Sequence, residues 1–178
     1  MRATKSYTNT AKFLHWLIVA LLIVQFIIAW TMPHIGRNTP LDTLISLHFS
    51  FGIFILGIAV IRLIWWATHR MPKPDDIPEW QYWSAFVVHR ALYLLLFALP
   101  ILGWLNASWR GYPVSLFGLF EMPKLVATRV PGWDWTGDLH AFLANYVLLT
   151  LVGLHVLAAL YHYFIRRDGV LQRMLPNL

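Results

Sequence analysis

The stretch Asp138–Arg167, DLHAFLANYVLLTLVGLHVLAALYHYFIRR, is a long apolar segment that carries three histidines, His140, His155 and His162. At about 3.6 residues per turn, their spacings place them on roughly one face of a helix. His140 and His155 lie about 22 Å apart along such a helix, most of the ~30 Å thickness of a bilayer's hydrocarbon layer. Because a polar side chain in lipid costs free energy, each imidazole needs a partner at its own depth. The other apolar segments must supply those partners.

The composition excludes an ordinary soluble domain. Of the 178 residues, 58% are hydrophobic and 12% are charged, whereas about a quarter are charged in soluble domains. The chain has no cysteine, which excludes disulfides, thiolate metal sites, iron–sulfur clusters and a haem attached through C-x-x-C-H. The first apolar run is too long for the core of a secretory signal, so it is interpreted as a membrane span.

Four apolar runs are long enough to cross a bilayer. They predict an all-α fold, an integral membrane four-helix bundle that forms one domain over residues 1–178. The predicted spans are about 12–31, 44–66, 85–107 and 138–165. We expect Asp42 to cap the second helix. The aromatic-rich link 108–137 is expected to pack over one end of the bundle.

The basic residues predict the orientation of the bundle. The two termini and the link between spans two and three, with the residues flanking that link, hold ten of the 14 lysines and arginines; the opposite side holds four. Both termini should therefore be cytoplasmic. The net charge of +6 follows from this arrangement, and no basic patch suggests nucleic-acid binding. The ten are Arg2, Lys5, Lys12, Arg62, Arg70, Lys73, Arg90, Arg166, Arg167 and Arg173, and the four are Arg37, Arg110, Lys124 and Arg129.

Four histidines fall at two matched depths. His15 and His155 lie towards the cytoplasmic side, and His48 and His140 lie towards the outer side. Two neutral imidazoles from facing helices are the axial ligands of a b-type haem iron, provided that small residues leave room for the ring. A small residue follows three of these histidines by one helical turn: Gly52, Ala144 and Ala159.

Other interpretations of the histidines stay open at this point. A single histidine at a span end is more often an interfacial polar residue, but four at matched depths favour haem ligation. Zinc or copper is less favoured, since no acidic or thiol ligand accompanies them. His34 and His69 fall in links and are expected to be solvated. His89 and His162 are left over on the cytoplasmic side, where they suit either a quinone site or contacts to propionates and headgroups.

Several motifs resemble the bacterial di-haem cytochrome b561 family, specifically the group that includes superoxide oxidase. They cover nearly the whole chain in the family's order. The matching elements are His15-Trp16, His48-x-x-x-Gly52, Arg62-Leu63, the run from His89-x-x-x-Tyr93 to Leu99-Pro100-x-x-Gly103, Leu139-His140, Gly153-Leu154-His155, His162-x-Phe164, and Asp168-Gly169-x-Leu171-x-Arg173-Met174-x-Pro176.

The resemblance implies a protein of the bacterial inner membrane with two non-covalent b haems. One haem would be held by His15 and His155 and the other by His48 and His140, while His89 and His162 match the family's quinone site. In superoxide oxidases, superoxide is oxidised and ubiquinone is reduced, and no residue of this chain is singled out as catalytic. Two alternatives remain. A superoxide:ubiquinone oxidoreductase is the function expected first, and the runner-up is the same bundle as the electron-transfer subunit of a dehydrogenase or hydrogenase partner protein. A histidine-lined transporter without haem is the third, and it would be colourless.

Overall fold

The computed structural model describes residues 6–36, 39–69 and 77–175, and four long helices account for most of them. They are α1 (Asn9–Thr31), α2 (Thr43–Thr68), α3 (Glu79–Arg110) and α4 (Trp135–Arg166). Their lengths of 23, 26, 32 and 32 residues suffice for a membrane crossing. The prediction of an all-α membrane four-helix bundle is confirmed. Six residues used in the sequence analysis lie outside the described parts: Arg2, Lys5, Arg37, Arg70, Lys73 and Pro176.

The helix ends follow from local capping chemistry. Thr8 Oγ1 accepts the backbone N–H of Ala11 at 3.2 Å at the start of α1. Asp42 Oδ1 accepts the backbone N–H of Ile45 at 2.9 Å, which confirms the predicted cap of α2. Each cap gives a partner to a backbone N–H that the first helical turn leaves unpaired. At its far end, α3 stops at Gly111, whose φ of 86° is the left-handed conformation that glycine adopts at low cost.

α4 contains two wide turns. Leu143–Leu148 and His162–Arg166 are π-helical, and the segments Trp135–Phe142 and Leu149–Tyr161 are α-helical. A π-turn takes up an extra residue and so changes which face of the helix the following side chains occupy. The first wide turn lies between His140 and His155, so it sets their relative direction.

The four helices pack in chain order, but the bundle is not closed. α1 packs on α2, α2 on α3, and α3 on α4. Among these helices, no Cα atom of α4 lies within 8 Å of a Cα atom of α1 or α2. In close-packed helices the axes are about 8–10 Å apart, and facing Cα atoms are closer than the axes. A space therefore separates the backbone of α4 from those of α1 and α2, and side chains cross part of it: Leu22 and Phe26 of α1 pack against the apolar cluster of Leu95, Leu99 and Leu148 from α3 and α4. A second cluster, of Leu14, Ile18, Leu21, Ile55 and Ile58, joins α1 to α2.

The link between α3 and α4 covers one end of the bundle, here called the loop end. Buried Ser50 of α2 fastens it: Ser50 Oγ donates to Ser115 O at 2.7 Å and accepts the backbone N–H of Phe117 at 3.1 Å. Trp109 Nε1 donates to Val130 O at 2.8 Å. The expected packing of this link over one end of the bundle is therefore observed.

The opposite end, here called the terminal end, is closed by the C-terminal segment. Arg173 O accepts hydrogen bonds from Ser6 Oγ at 2.9 Å and from the backbone N–H of Tyr7 at 3.3 Å. Trp16 Nε1 donates to Met174 O at 2.9 Å. The segment after α4 is thus held against the start of α1.

Ser50→Ala should loosen the link at the loop end, because Ser115 O and the backbone N–H of Phe117 both lose a hydrogen bond, each worth about 0.5–1.5 kcal/mol. We expect a lower midpoint of thermal unfolding in detergent and faster trypsin cleavage after Lys124 or Arg129. Ser46→Ala is the matched control, since Ser46 Oγ donates to Asp42 O at the start of α2 and makes no hydrogen bond to the described part of the link. Equal sensitivity of the two variants would show that Ser50 does not fasten the link.

Candidate functional site

Two groups of histidines occupy the two ends of the space beside α4. At the loop end, His48 of α2 faces His140 of α4, with ring centroids 6.0 Å apart and planes at 82°. At the terminal end, His15 of α1 faces His155 of α4, with centroids 6.2 Å apart and planes at 80°. The structure thus brings together the histidines that the sequence places at matched depths, and α4 contributes one member to each pair.

His140 is held by the backbone of α3. Its Nδ1 lies 2.9 Å from Leu99 O. Because a carbonyl oxygen can only accept, Nδ1 must carry the proton, which leaves Nε2 with a free lone pair. The close approach requires Gly103, where an added Cβ would lie 3.1 Å from His140 Cε1. Sequence reasoning did not identify this role of Gly103, because glycine spacing alone does not show which helix approaches it.

His48 is contacted by Gln25, the polar side chain deep in α1. Gln25 Nε2 donates to His48 O at 3.1 Å and lies 3.5 Å from His48 Nε2. Gln25 Oε1 and His48 Nδ1 are both buried without a hydrogen-bond partner among the described residues. Uncompensated burial of polar atoms costs free energy and is typical of a site that is completed by another group.

A cavity of about 280 Å³ opens beside His48 and His140. Its volume lies near the lower limit of small-molecule sites, ~300 Å³. Gly52 and Ala144, the small residues expected one turn after the two histidines, both line it. His34, which was expected to be solvated, is exposed and lies at the same cavity. The other link histidine, His69, is exposed and stacks on Trp65 at 3.6 Å between ring centroids.

At the terminal end a third histidine joins the pair. His89 of α3 lies 5.2 Å from His155 between ring centroids, with planes at 71°. Arg62 of α2 is held beside His89, since its Nε donates at 2.9 Å to the Oη of Tyr93, which follows His89 by one helical turn. The sequence predicted that Arg62 lies towards the cytoplasmic side but not this contact, because helical depth does not show which way a side chain points.

His162 is engaged by a carboxylate. Its Nδ1 lies 2.6 Å from Asp168 Oδ2, and Arg166 Nε lies 3.9 Å from the same oxygen. Partial burial opposes ionisation of Asp168, but the hydrogen bond from His162, the backbone N–H of Val170 and the nearby charges outweigh it and lower the pKa of this carboxyl. The two histidines expected at a quinone site therefore have different neighbours, His155 for His89 and Asp168 for His162.

The sequence of residues 6–177 matches the prokaryotic cytochrome b561 family. The chain belongs to that family. The cytochrome is 33% identical over 181 residues to cytochrome b561 homolog 2 of Escherichia coli. That alignment covers 96% of this chain and 95% of the relative. It is also 33% identical over 179 residues, 97% of each chain, to the probable superoxide oxidase CybB of Yersinia pestis. Cytochrome b562 of Cereibacter sphaeroides is 25% identical over 98% of each chain.

Membership confirms the resemblance seen in the motifs. It makes this chain a bacterial multi-pass membrane cytochrome that takes part in electron transfer, and it implies binding of haem b. The spacing of the imidazoles fits that group. With metal–nitrogen bonds of about 2 Å, two imidazoles on opposite sides of one iron have ring centroids about 6 Å apart. The pairs His15–His155 and His48–His140 have this spacing, whereas His89 is closer to His155 than such a bridge requires.

Gly103→Ala should disturb the loop-end pair selectively. A methyl group at this position would push His140 away from Leu99 O, so the purified protein should contain less haem and show an altered b-type absorption band. Gly57→Ala is the matched control, because an added Cβ there meets no atom within 4 Å and alanine favours a helix. Normal haem content in Gly103→Ala would show that the close approach of α3 does not position His140.

Proposed function

We propose that this cytochrome is a superoxide oxidase, a superoxide:ubiquinone oxidoreductase. The observation that carries the proposal is the pair of histidine sites at opposite ends of one membrane bundle, joined by α4. The similarity to the probable superoxide oxidase of Yersinia pestis supports it. Each superoxide gives up one electron and leaves as O₂, and ubiquinone takes two electrons and two protons to become ubiquinol. Two superoxide ions are therefore consumed for each quinone.

We assign His48 and His140 as the residues that would hold one haem b, and His15 and His155 as those that would hold a second. A bound haem would supply one-electron chemistry. The chain supplies neutral imidazoles with a defined tautomer, as Leu99 O does for His140 Nδ1. Gly52 and Gly103 leave space beside the loop-end pair. The separation of α4 from α1 and α2 supports both assignments, because a group between the helices needs that gap.

Superoxide is proposed to react at the loop end, where two guanidinium groups flank one indole. Arg110 and Arg129 lie 5.7 and 5.1 Å from the centroid of the Trp109 ring. Arg110 Nη1 also donates to Gly36 O at 2.7 Å, which holds this charge beside the link after α1. Local positive potential raises the capture rate of an anion, and salt weakens the effect.

Ubiquinone is proposed to bind at the terminal end near His89 and His162. An imidazole can hydrogen-bond a quinone carbonyl and pass a proton to it. Asp168 accepts from His162 Nδ1, so it orients that ring. In the proposed orientation, with both termini cytoplasmic in the inner membrane, protons reach this end from the cytoplasm. The excess of lysine and arginine on this side supports the orientation.

The ligand assignment predicts a separate loss of haem at each end. His48→Ala or His140→Ala should remove the loop-end haem, and His15→Ala or His155→Ala the terminal-end haem, because an iron that loses one axial ligand loses much of its attachment. Haem per protein and the low-spin spectrum measure this. His69→Ala, at an exposed histidine, should keep both haems. Two low-spin bis-histidine haems in His155→Ala would refute the assignment.

The reaction assignment predicts that rapid-mixing experiments distinguish reduction by superoxide at the loop end from reoxidation by ubiquinone at the terminal end. In the double variant Arg110→Gln/Arg129→Gln, superoxide should reduce the haems about tenfold more slowly, as followed by their absorbance. The rate should also depend less on salt concentration. Reoxidation by ubiquinone should not change. His162→Ala should do the opposite, slowing reoxidation while leaving reduction by superoxide fast.

Lys124→Gln is the control for charge at the loop end, and it should have a smaller effect than the arginine variants. Normal quinone kinetics in His162→Ala and in His89→Ala would place the quinone site elsewhere. If the wild type is inert to superoxide but is reduced normally by ubiquinol, the cytochrome instead serves a dehydrogenase or hydrogenase partner.

A further inference from the structure

Arg62 is a charged residue within the hydrophobic part of α2. It precedes the helix end at Thr68 by six residues and is only partly exposed. A charge inside a membrane is costly, and an arginine near a helix end usually extends to the surface. Here the side chain is held by α3 instead, since its Nε donates to Tyr93 Oη at 2.9 Å and its Cζ lies 5.7 Å from the Tyr93 ring centroid.

The guanidinium has unused hydrogen-bonding capacity. Arginine has five N–H donors and cannot lose its charge in a protein, and the contact with Tyr93 uses one of them. The ion pairs among the described residues involve Asp168 with His162 and with Arg166; neither includes Arg62. Tyr93, which holds the guanidinium, follows His89 by one helical turn, and the His89 ring centroid lies 5.2 Å from that of His155. Among the described residues, the charge therefore lies near the terminal-end histidines and has no carboxylate partner.

The loop-end pair has different neighbours. Arg62 follows His48 by fourteen residues, which is about 21 Å along α2. Among the described residues, the hydrogen-bond partners of the loop-end pair are neutral: the Gln25 amide contacts His48, and Leu99 O contacts His140. Arg110 and Arg129 at that end lie 5.7 and 5.1 Å from the Trp109 ring centroid. The terminal-end pair thus has a positive charge within the helices, where the surrounding dielectric is low and charges interact strongly.

We infer that Arg62, held by Tyr93, raises the reduction potential of the redox centre at His15 and His155 above that of the centre at His48 and His140. A nearby positive charge opposes the gain of positive charge on oxidation, so it favours the reduced state. The asymmetry directs electrons from the loop end to the terminal end. This inference rests on the proposed function and explains its direction.

The test is an optical redox titration of the purified, intact cytochrome. In Arg62→Gln, one of the two haem components should shift to a lower potential and the other should stay in place. Arg62→Lys keeps the charge and should shift less than Arg62→Gln. Tyr93→Phe removes the hydroxyl that holds the guanidinium and should shift the same component in the same direction. The same titration in His48→Ala, which should retain only the terminal-end haem, identifies the component.

Arg90→Gln is the matched control. Arg90 is an exposed arginine at the same end, and its Cζ lies 4.9 and 5.0 Å from the ring centroids of Trp66 and Phe86. It should leave both potentials nearly unchanged. Unchanged potentials in Arg62→Gln, equal shifts of both components, or an equal shift in Arg90→Gln would overturn the inference.

If Arg62→Gln loses the terminal-end haem, Tyr93→Phe decides: a lowered potential supports the inference and an unchanged one overturns it. A wild-type protein without haem would instead refute the proposed function.

Discussion

Imidazoles within a membrane need partners, and this need governs how α4 relates to the rest of the bundle. His140 and His155 lie on one helix, and their partners come from α2 and α1. The rings meet across a space, because the Cα atoms of α4 stay more than 8 Å from those of α1 and α2. Close packing of all four helices would remove that space. The space between α4 and the first two helices is therefore a consequence of having polar groups face each other in the apolar layer.

The sequence was sufficient to predict the depth of each paired histidine in the membrane, but not the direction in which each side chain points. Counting residues along each apolar run predicted which histidines share a level, and the structure brings His15 to His155 and His48 to His140. Counting could not predict that His89 lies against His155, since the angular position of a side chain depends on how helices pack. The π-turn Leu143–Leu148 adds to this difficulty, because an apolar run does not reveal where a turn widens.

Contacts that support the site were also beyond sequence reasoning. Gly103 occurs in a run that resembles the family, but only the structure shows its backbone against the His140 ring. Gln25 is a polar residue in the apolar run of α1, yet its contact with His48 depends on the register between α1 and α2. Asp168 follows the last span by a few residues, and the left-handed conformation of Arg167, with a φ of 53°, turns the chain at that point. These contacts depend on relative helix placement, which composition and periodicity do not encode.

The two ends of the bundle are chemically unlike, and this bears on how a single helix can serve both. At the loop end, the hydrogen-bond partners of the histidines are neutral, and Arg110 and Arg129 lie against Trp109 near the end of α3. At the terminal end, the charge of Arg62 is held by Tyr93, one helical turn after His89. A charge that attracts an anion acts on its approach, so it is effective at the entrance. A charge that sets the stability of a reduced centre must be close to it, where the dielectric is low. The placement of the basic residues thus matches the task proposed for each end.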